Sequence, residues 1–359
     1  MLPGHHNETF RTVRLNAALM PVRPVEAALC REYGLAPTCV EAHTPEEIIS
    51  NVAGCDAIFV VSAALPRAVI ESLTRCQVIS RMGNGTDRID VGAATERGIL
   101  VTNVPYFCVE EMADHVMATL LTLVRQIPFA SRCLHDGAFA RAREECLKLP
   151  RVSGLVLGLV GFGASAKAVA ARARPFGLKV LATRRRMDVP REEADALGVE
   201  MTDLHDVLTR ADIVSLHLPL AADTYHLFGR AALRSMKPGA YLINTSRGAL
   251  VDEDALVECL RDGHLRGAAV DTFEGISIFV ENPAAPTHPL TRLDNVILTP
   301  HVSGLSTPAS AEVARTSVEN VVAVRAGCLP HPDHIVNPTV APRMPLREHD
   351  PSLFVARPA

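Results

Sequence analysis

The chain has 359 residues, a net charge of -4 and an apolar content close to one half. That length suits two domains of ordinary size, and the composition supplies buried cores, which excludes global disorder. There is no long basic block to suggest a nucleic-acid or membrane-surface partner, and no apolar run reaches the roughly 18 residues of a membrane span.

The first hundred residues alternate short apolar runs with helical stretches. "DAIFVVS" from Asp56, "CQVISRMG" from Cys76 and "GILVTNVP" from Gly98 have the length and β-branched content of buried strands. "PEEIISNVAGC" and "DVGAATERG" between them predict short capped helices. The pattern is α/β with a largely parallel sheet. After Pro105, "VEEMADHVMATLLTLVRQI" predicts a long helix over 109–127. Residues 128–152 read as polar and irregular, the composition of an arm or linker.

A second alternation begins at Ser153, with strands expected at 155–161, 178–183, 212–216, 240–243, 267–271 and 295–298. Helices fit between them, at 164–175, 203–209 and 252–261. Short strands with intervening helices in this order suggest a doubly wound dinucleotide fold. The segment after Leu329 is rich in proline and reads as extended surface chain. The nine cysteines are scattered, without zinc-ligand or redox spacing, so free and mostly buried thiols are expected, and no metal site. The N-terminal stretch lacks an apolar signal core. The expectation is a soluble cytoplasmic protein.

"VGFGASA" supplies Gly161 and Gly163, with Ala166 at the third position of a G-x-G-x-x-G/A turn. The first glycine permits the tight turn, and the second lets backbone approach a pyrophosphate. The small third residue lets helix pack on strand. Ala164 and Ser165 open the helix whose N–H groups would face that anion. The next strand ends in Thr183, Arg184, Arg185 and Arg186, with no acid before Asp188. An acid there would bind the 2′-hydroxyl of NAD, whereas a guanidinium neutralises the 2′-phosphate of NADP. The arginines therefore predict NADP, with NAD the alternative cofactor.

The segments "RMGNGTDRIDVGAATERGILVTNVP", "CVEEMADH", "ADIVSLHLPL", "MKPGAYLINTSRGALVDEDAL" and "NVILTPHVSG" occur in this order. On these, the chain resembles the D-isomer-specific 2-hydroxyacid dehydrogenases from about Asp56 to Pro338. The resemblance implies two Rossmann-like doubly wound domains with an active-site cleft between them. A split substrate domain (1–105 and 302–359) would flank a dinucleotide-binding domain (106–301). It also implies a homodimer, with a dimerisation arm near 128–152.

A 2-oxo acid must be held by its carboxylate and carbonyl, and a proton must reach the carbonyl oxygen as hydride arrives at carbon. By resemblance, Arg247 in "TSRG" clamps carboxylate and carbonyl, and His301 in "TPH" is the general acid/base. The family places a Glu five residues after the strand-ending Asp, here Asp271, where it raises the histidine pKa. This chain has Ile276 at that position. Glu274 lies two residues before it. Glu281 lies five after it and is followed by Pro283, as the family's Glu is followed by proline. Both are candidates. Asn84 and Gly85 match the loop that receives the substrate carboxylate. Thr245, Ser246 and Asp271 match positions lining the nicotinamide ribose and carboxamide. His217, Leu218 and Pro219 match the turn on the adenine side, and Gly304 follows the catalytic histidine near the nicotinamide. Cys108 reads as packing.

The implied activity is hydride transfer between a nicotinamide cofactor and a small 2-oxo or 2-hydroxy acid, such as glyoxylate, hydroxypyruvate or 3-phosphoglycerate. A dinucleotide-sensing corepressor on the same fold, or a dehydrogenase of another small anion, is the alternative. Retention of both Arg247 and His301 favours the first reading.

Overall fold

The computed structural model describes residues 10–18, 20–186, 192–276 and 285–354. The chain divides into two compact units, Met1–Phe107 with Ser306–Ala359, and Cys108–Leu305.

The first unit holds β1 (Thr12–Leu15), β2 (Thr38–Val40), β3 (Ala57–Val60), β4 (Val78–Arg81) and β5 (Leu100–Thr102). All pairings are parallel, in the order β2-β1-β3-β4-β5. Alternate residues point to opposite faces. Ile58, Val60, Ile79 and Val101 join one buried cluster, while Ala57, Phe59, Val78 and Leu100 join the other. The second face is covered by the helices Pro24–Glu32 and Thr307–Arg325, through Leu29, Val318, Val321 and Val324. The last long helix of the chain therefore completes the core of the first strands. Strands β1 and β2 were not expected from the sequence: Arg14 interrupts "TVRL", and "TCV" is only three residues long.

The proline-rich tail does more than run over the surface. The N–H of Val336 donates to the Val101 carbonyl at 2.9 Å, and the buried Asn337 accepts from Val101 N–H at 2.9 Å. These bonds satisfy the open edge of β5, which would otherwise be a template for non-native pairing.

The second unit holds β6 (Val156–Val160), β7 (Lys179–Thr183), β8 (Val199–Met201), β9 (Ile213–Leu216), β10 (Ala240–Asn244), β11 (Leu265–Val270) and β12 (Val296–Leu298). The order is β12-β11-β10-β9-β6-β7-β8, and every pairing is parallel. Strand β8 was not foreseen, because "VEM" has no apolar run. Chain order reverses between β6 and β9, which makes their carboxyl ends the topological switch point where such sheets bind ligands.

The helix expected over 109–127 stops at Val124, and Gln126 takes a left-handed conformation. Pro128 has no N–H to continue a helix but is tolerated in the first turn of the next one. Residues expected to be irregular instead form two helices, Ile127–His135 and Phe139–Leu147. The helix Val109–Val124 packs on the helix Ala164–Ala173 and on β10 and β11, and its Val116, Leu120 and Val124 share one buried cluster with Leu157, Leu159, Ala166, Val169 and Ala170. Among the described residues no helix is long and apolar enough to cross a membrane.

Candidate active site

The turn after β6 is shaped by what cannot fit there. Gly161 has φ of 98°, and a Cβ on it would lie 2.2 Å from the His217 carbonyl oxygen. Only glycine meets both conditions without strain. Gly163 differs: a Cβ there would meet nothing within 4 Å. It precedes the helix Ala164–Ala173, whose N-terminus has no side-chain cap. The first-turn N–H groups thus open onto free space beside the exposed Gly163 and Ala164. Ala166 is fully buried in the core, as the motif requires. Uncapped N–H groups, the helix dipole and a missing Cβ together form a cradle that fits a pyrophosphate.

His217 follows β9 at the other side of the switch point. Its Nδ1 is 3.2 Å from Ser165 Oγ, and its Nε2 is 3.0 Å from Ser215 Oγ. Burial pushes its pKa down to about 4. Leu218 lies against Gly161, and the Pro219 carbonyl accepts from the Thr224 hydroxyl at 2.8 Å. Arg184 directly follows β7 and is half-buried. Arg185 is exposed and pairs with Asp223.

Arg247 and His301 stand beyond the carboxyl ends of β10 and β12, the two strands that flank β11. Neighbouring strands lie about 4.8 Å apart, which puts these two strand ends roughly 10 Å from each other. Side chains and backbone stitch the three ends together. Asn244, the last residue of β10, accepts from Ser246 N–H at 3.1 Å and donates to the Arg247 carbonyl at 2.8 Å. Its own carbonyl accepts from Asp271 N–H at 3.0 Å. Gly248 is in close contact with Phe273, where a Cβ would come within 2.0 Å of the backbone.

The His301 turn is fixed by Asp271. The Asp271 carboxylate accepts from the Thr299 hydroxyl at 2.5 Å, from Val302 N–H at 2.9 Å and from Ser303 N–H at 3.0 Å. Because the single Thr299 hydrogen goes to Asp271, the hydroxyl oxygen receives its second bond, at 3.2 Å, from Nε2–H of His115. His301 itself is left-handed, with φ of 56°, an unfavourable geometry that persists only where the surroundings dictate it. His115, Thr299 and Asn244 were not singled out in the sequence. Each is a polar residue inside a quoted motif, and nothing in its spacing reveals its partner.

The Asp271 carboxylate is turned to the His301 turn. The Ser246 hydroxyl donates to the Leu216 carbonyl at 2.7 Å. Among the described residues the buried Thr245 hydroxyl has no hydrogen-bond partner, nor does that of Thr272 beyond β11. Orphaned hydroxyls at these strand ends suit a bound polar group, since an unmet buried hydroxyl is costly. Both carboxylate oxygens of Glu274 are engaged, one by the Tyr225 hydroxyl at 3.0 Å and one by His226 Nε2 at 2.7 Å. Glu281 lies outside the described residues. Gly304 packs on Cys108, with a Cβ position 3.0 Å from the thiol sulfur. Cys108 is buried, in keeping with packing. In the first unit, Asn84 and Gly85 form the turn after β4. Arg81 Nε donates to the Gly85 carbonyl at 2.8 Å, and Asn103 donates to the Asn84 carbonyl at 2.7 Å.

Comparison with known proteins identifies the family. Residues 117–303 match the family model described as D-isomer specific 2-hydroxyacid dehydrogenase, NAD binding domain. The chain is 36% identical over 307 residues to a glyoxylate reductase of Thermofilum pendens, covering 84% of this chain and 87% of the relative. It is similar to the D-lactate dehydrogenase of Aquifex aeolicus solved with NAD and lactic acid. That likeness has a TM-score of 0.81 and 27% identity, over 90% of this chain and 98% of the other. It is also similar to an acyclic imino acid reductase solved with NADPH and D-Arg, with a TM-score of 0.77 and 26% identity, over 91% and 98% of the two chains. This chain belongs to the D-isomer-specific 2-hydroxyacid dehydrogenase family and is an NAD(P)-linked hydroxyacid oxidoreductase.

Proposed function

We propose that the enzyme works as a reductase of small 2-oxo acids such as glyoxylate or hydroxypyruvate, with NADPH as the preferred cofactor. The observation that carries the cofactor preference is Arg184 at the carboxyl end of β7, followed by two more arginines with no acidic residue in sequence before Asp188. The Arg185–Asp223 pair beside it is 73% and 58% exposed. Exposed pairs are worth only about 0–1 kcal/mol, so this one yields readily to a phosphate. Hydrogen bonds to charged groups bring roughly 1.5–3 kcal/mol. The glyoxylate reductase relative supports the substrate class.

The bound nicotinamide would supply hydride. The chain's own residues do the rest. The planar fork of Arg247 binds carboxylate and carbonyl oxygen together and stabilises charge as it grows on that oxygen. His301 gives its proton to the same oxygen. Asp271 holds the His301 turn, and the Thr245 hydroxyl faces the nicotinamide ribose. Glu274 is already committed to Tyr225 and His226, so Glu281, the other candidate from the sequence, is the proposed partner of His301.

The proposed assembly is a homodimer built through the helices Ile127–His135 and Phe139–Leu147. Ile127, Leu134, Phe139 and Leu147 are exposed there, beside a groove lined by Ala130 and Ala142. Such an apolar surface suits an interface between copies. The function is tested by following NADPH and NADH oxidation with a panel of 2-oxo acids. Turnover with short 2-oxo acids and NADPH supports the reading. Tight dinucleotide binding without turnover on any of them overturns it.

A further inference from the structure

Ser165 lies in the first turn of the helix Ala164–Ala173, and Ser215 lies within β9, fully buried. His217 bridges them through its two ring nitrogens, Nδ1 to Ser165 and Nε2 to Ser215. Among the described residues it is the only hydrogen-bond partner of either hydroxyl. The imidazole is neutral at neutral pH, because burial disfavours its charged form. It therefore has one N–H to give and one lone pair to receive.

Counting hydrogens selects between the two tautomers. With the hydrogen on Nε2, the ring donates to Ser215, and the Ser215 hydroxyl hydrogen is left inside the sheet without an acceptor. That arrangement strands a buried donor, which is costly. With the hydrogen on Nδ1, Ser215 donates to Nε2 and Nδ1–H donates to Ser165 Oγ. Every buried donor is then met. The one hydrogen left over is that of Ser165, and it sits beside the exposed Gly163 and Ala164 at the mouth of the pyrophosphate cradle.

We propose that Ser215 locks His217 as the Nδ1–H tautomer, and that His217 thereby commits the Ser165 hydroxyl as a hydrogen-bond donor to the dinucleotide pyrophosphate. The second half rests on the cofactor site described above, and the first does not. His217 is thus a positioning residue: it acts through Ser165. The arrangement explains why a ring nitrogen is placed against a hydroxyl in the one helical turn where an anion needs donors.

Two measurements test this separately. Nitrogen-15 spectra of histidine-labelled enzyme report which ring nitrogen carries the hydrogen, with the His217 signals assigned by their loss in His217→Gln. The expected result is a protonated Nδ1 and an unprotonated Nε2 without cofactor, and a shift toward the other tautomer in Ser215→Ala. A wild-type His217 protonated on Nε2 overturns the proposal. Dissociation constants for NADPH and NADH, from fluorescence titration, test the link to the cofactor. Ser165→Ala should weaken binding about tenfold, and Ser215→Ala should weaken it several-fold although it lies inside the sheet. The double variant should be no weaker than Ser165→Ala alone. Fully additive effects, or unchanged binding in Ser215→Ala despite a changed tautomer, overturn the link. If neither dinucleotide binds the wild-type enzyme, the cofactor site itself is wrong, and the tautomer result still stands on its own.

Discussion

The N–H of His301 donates to the carbonyl oxygen of Asp271 at 2.8 Å, and the carboxylate of the same Asp271 accepts the next two backbone N–H groups along the chain. One buried residue at the end of β11 thus dictates the course of the turn that carries the acid/base imidazole. It also holds that turn in a left-handed conformation that histidine seldom adopts.

Asp271→Asn should be costly for this reason. An amide has one acceptor oxygen and presents N–H groups to donors that need acceptors. At least one buried N–H of the turn is left unmet, a loss of about 1–3 kcal/mol. The expected outcome is lower stability in urea unfolding together with a kcat reduced by about tenfold or more. A variant with wild-type stability and kcat would show that the turn does not depend on this carboxylate.

The two glycines of the cofactor turn should respond differently to the same change. Gly161→Ala forces a Cβ onto the His217 carbonyl at a positive φ, so it should destabilise the protein by at least about 1–3 kcal/mol. Gly163→Ala has open space and extended backbone, and should lower the melting temperature far less, by no more than an N-cap change costs. It should nevertheless weaken dinucleotide binding by about tenfold or more, because the new methyl occupies the approach of the pyrophosphate. Equal effects of the two variants on melting temperature would contradict this division of roles.

Arg184→Asp should separate the two cofactors. It removes a phosphate partner and adds repulsion, so NADPH binding should weaken by about 10–100-fold while NADH binding changes by about threefold or less. Dissociation constants for both, measured in the same buffer, check this. A parallel loss for NADH would mean that the arginine serves the fold or the adenosine in general, and not the 2′-phosphate.

The half-buried His217, with no charged partner against its ring among the described residues, predicts a pH dependence of stability. Its pKa falls from an ordinary value near 6.5 to about 4 because burial disfavours the charged ring. Between those values the unfolded chain binds a proton that the folded one refuses, so stability falls as pH drops from about 6.5 to 4 and the contribution is unchanged above 6.5. His217→Gln should lose less stability than wild type across that window, as followed by urea unfolding at fixed pH steps. Identical slopes for the two proteins would show that the ring is not buried as a neutral group.

Much of this was legible in the sequence, and the limits have physical causes. Gly161, Gly163 and the arginine run were readable because a tight turn, a close approach and a charge each demand one residue type. Arg247 and His301 were readable because they sit in long motifs. The strands β1, β2 and β8 were not, since a charged residue interrupts "TVRL" and "VEM", and "TCV" has no apolar run around it. The helices of 127–147 were hidden because each has only nine residues and no side-chain cap, and Pro128 and Gly137 punctuate the stretch like a linker. The Asp271 clamp and the Ser165–His217–Ser215 bridge join segments up to about fifty residues apart, and only the folded sheet brings their strand ends together.

The central claim is that His301 delivers the proton in reduction of a small 2-oxo acid. Its most direct test is single-turnover reduction of glyoxylate or hydroxypyruvate by wild type and by His301→Ala, alongside NADPH affinity for both. The account predicts a chemical step slowed by about 10²–10⁴-fold in the variant, with the NADPH dissociation constant within about threefold of wild type. A variant that reduces the substrate at the wild-type rate would contradict it.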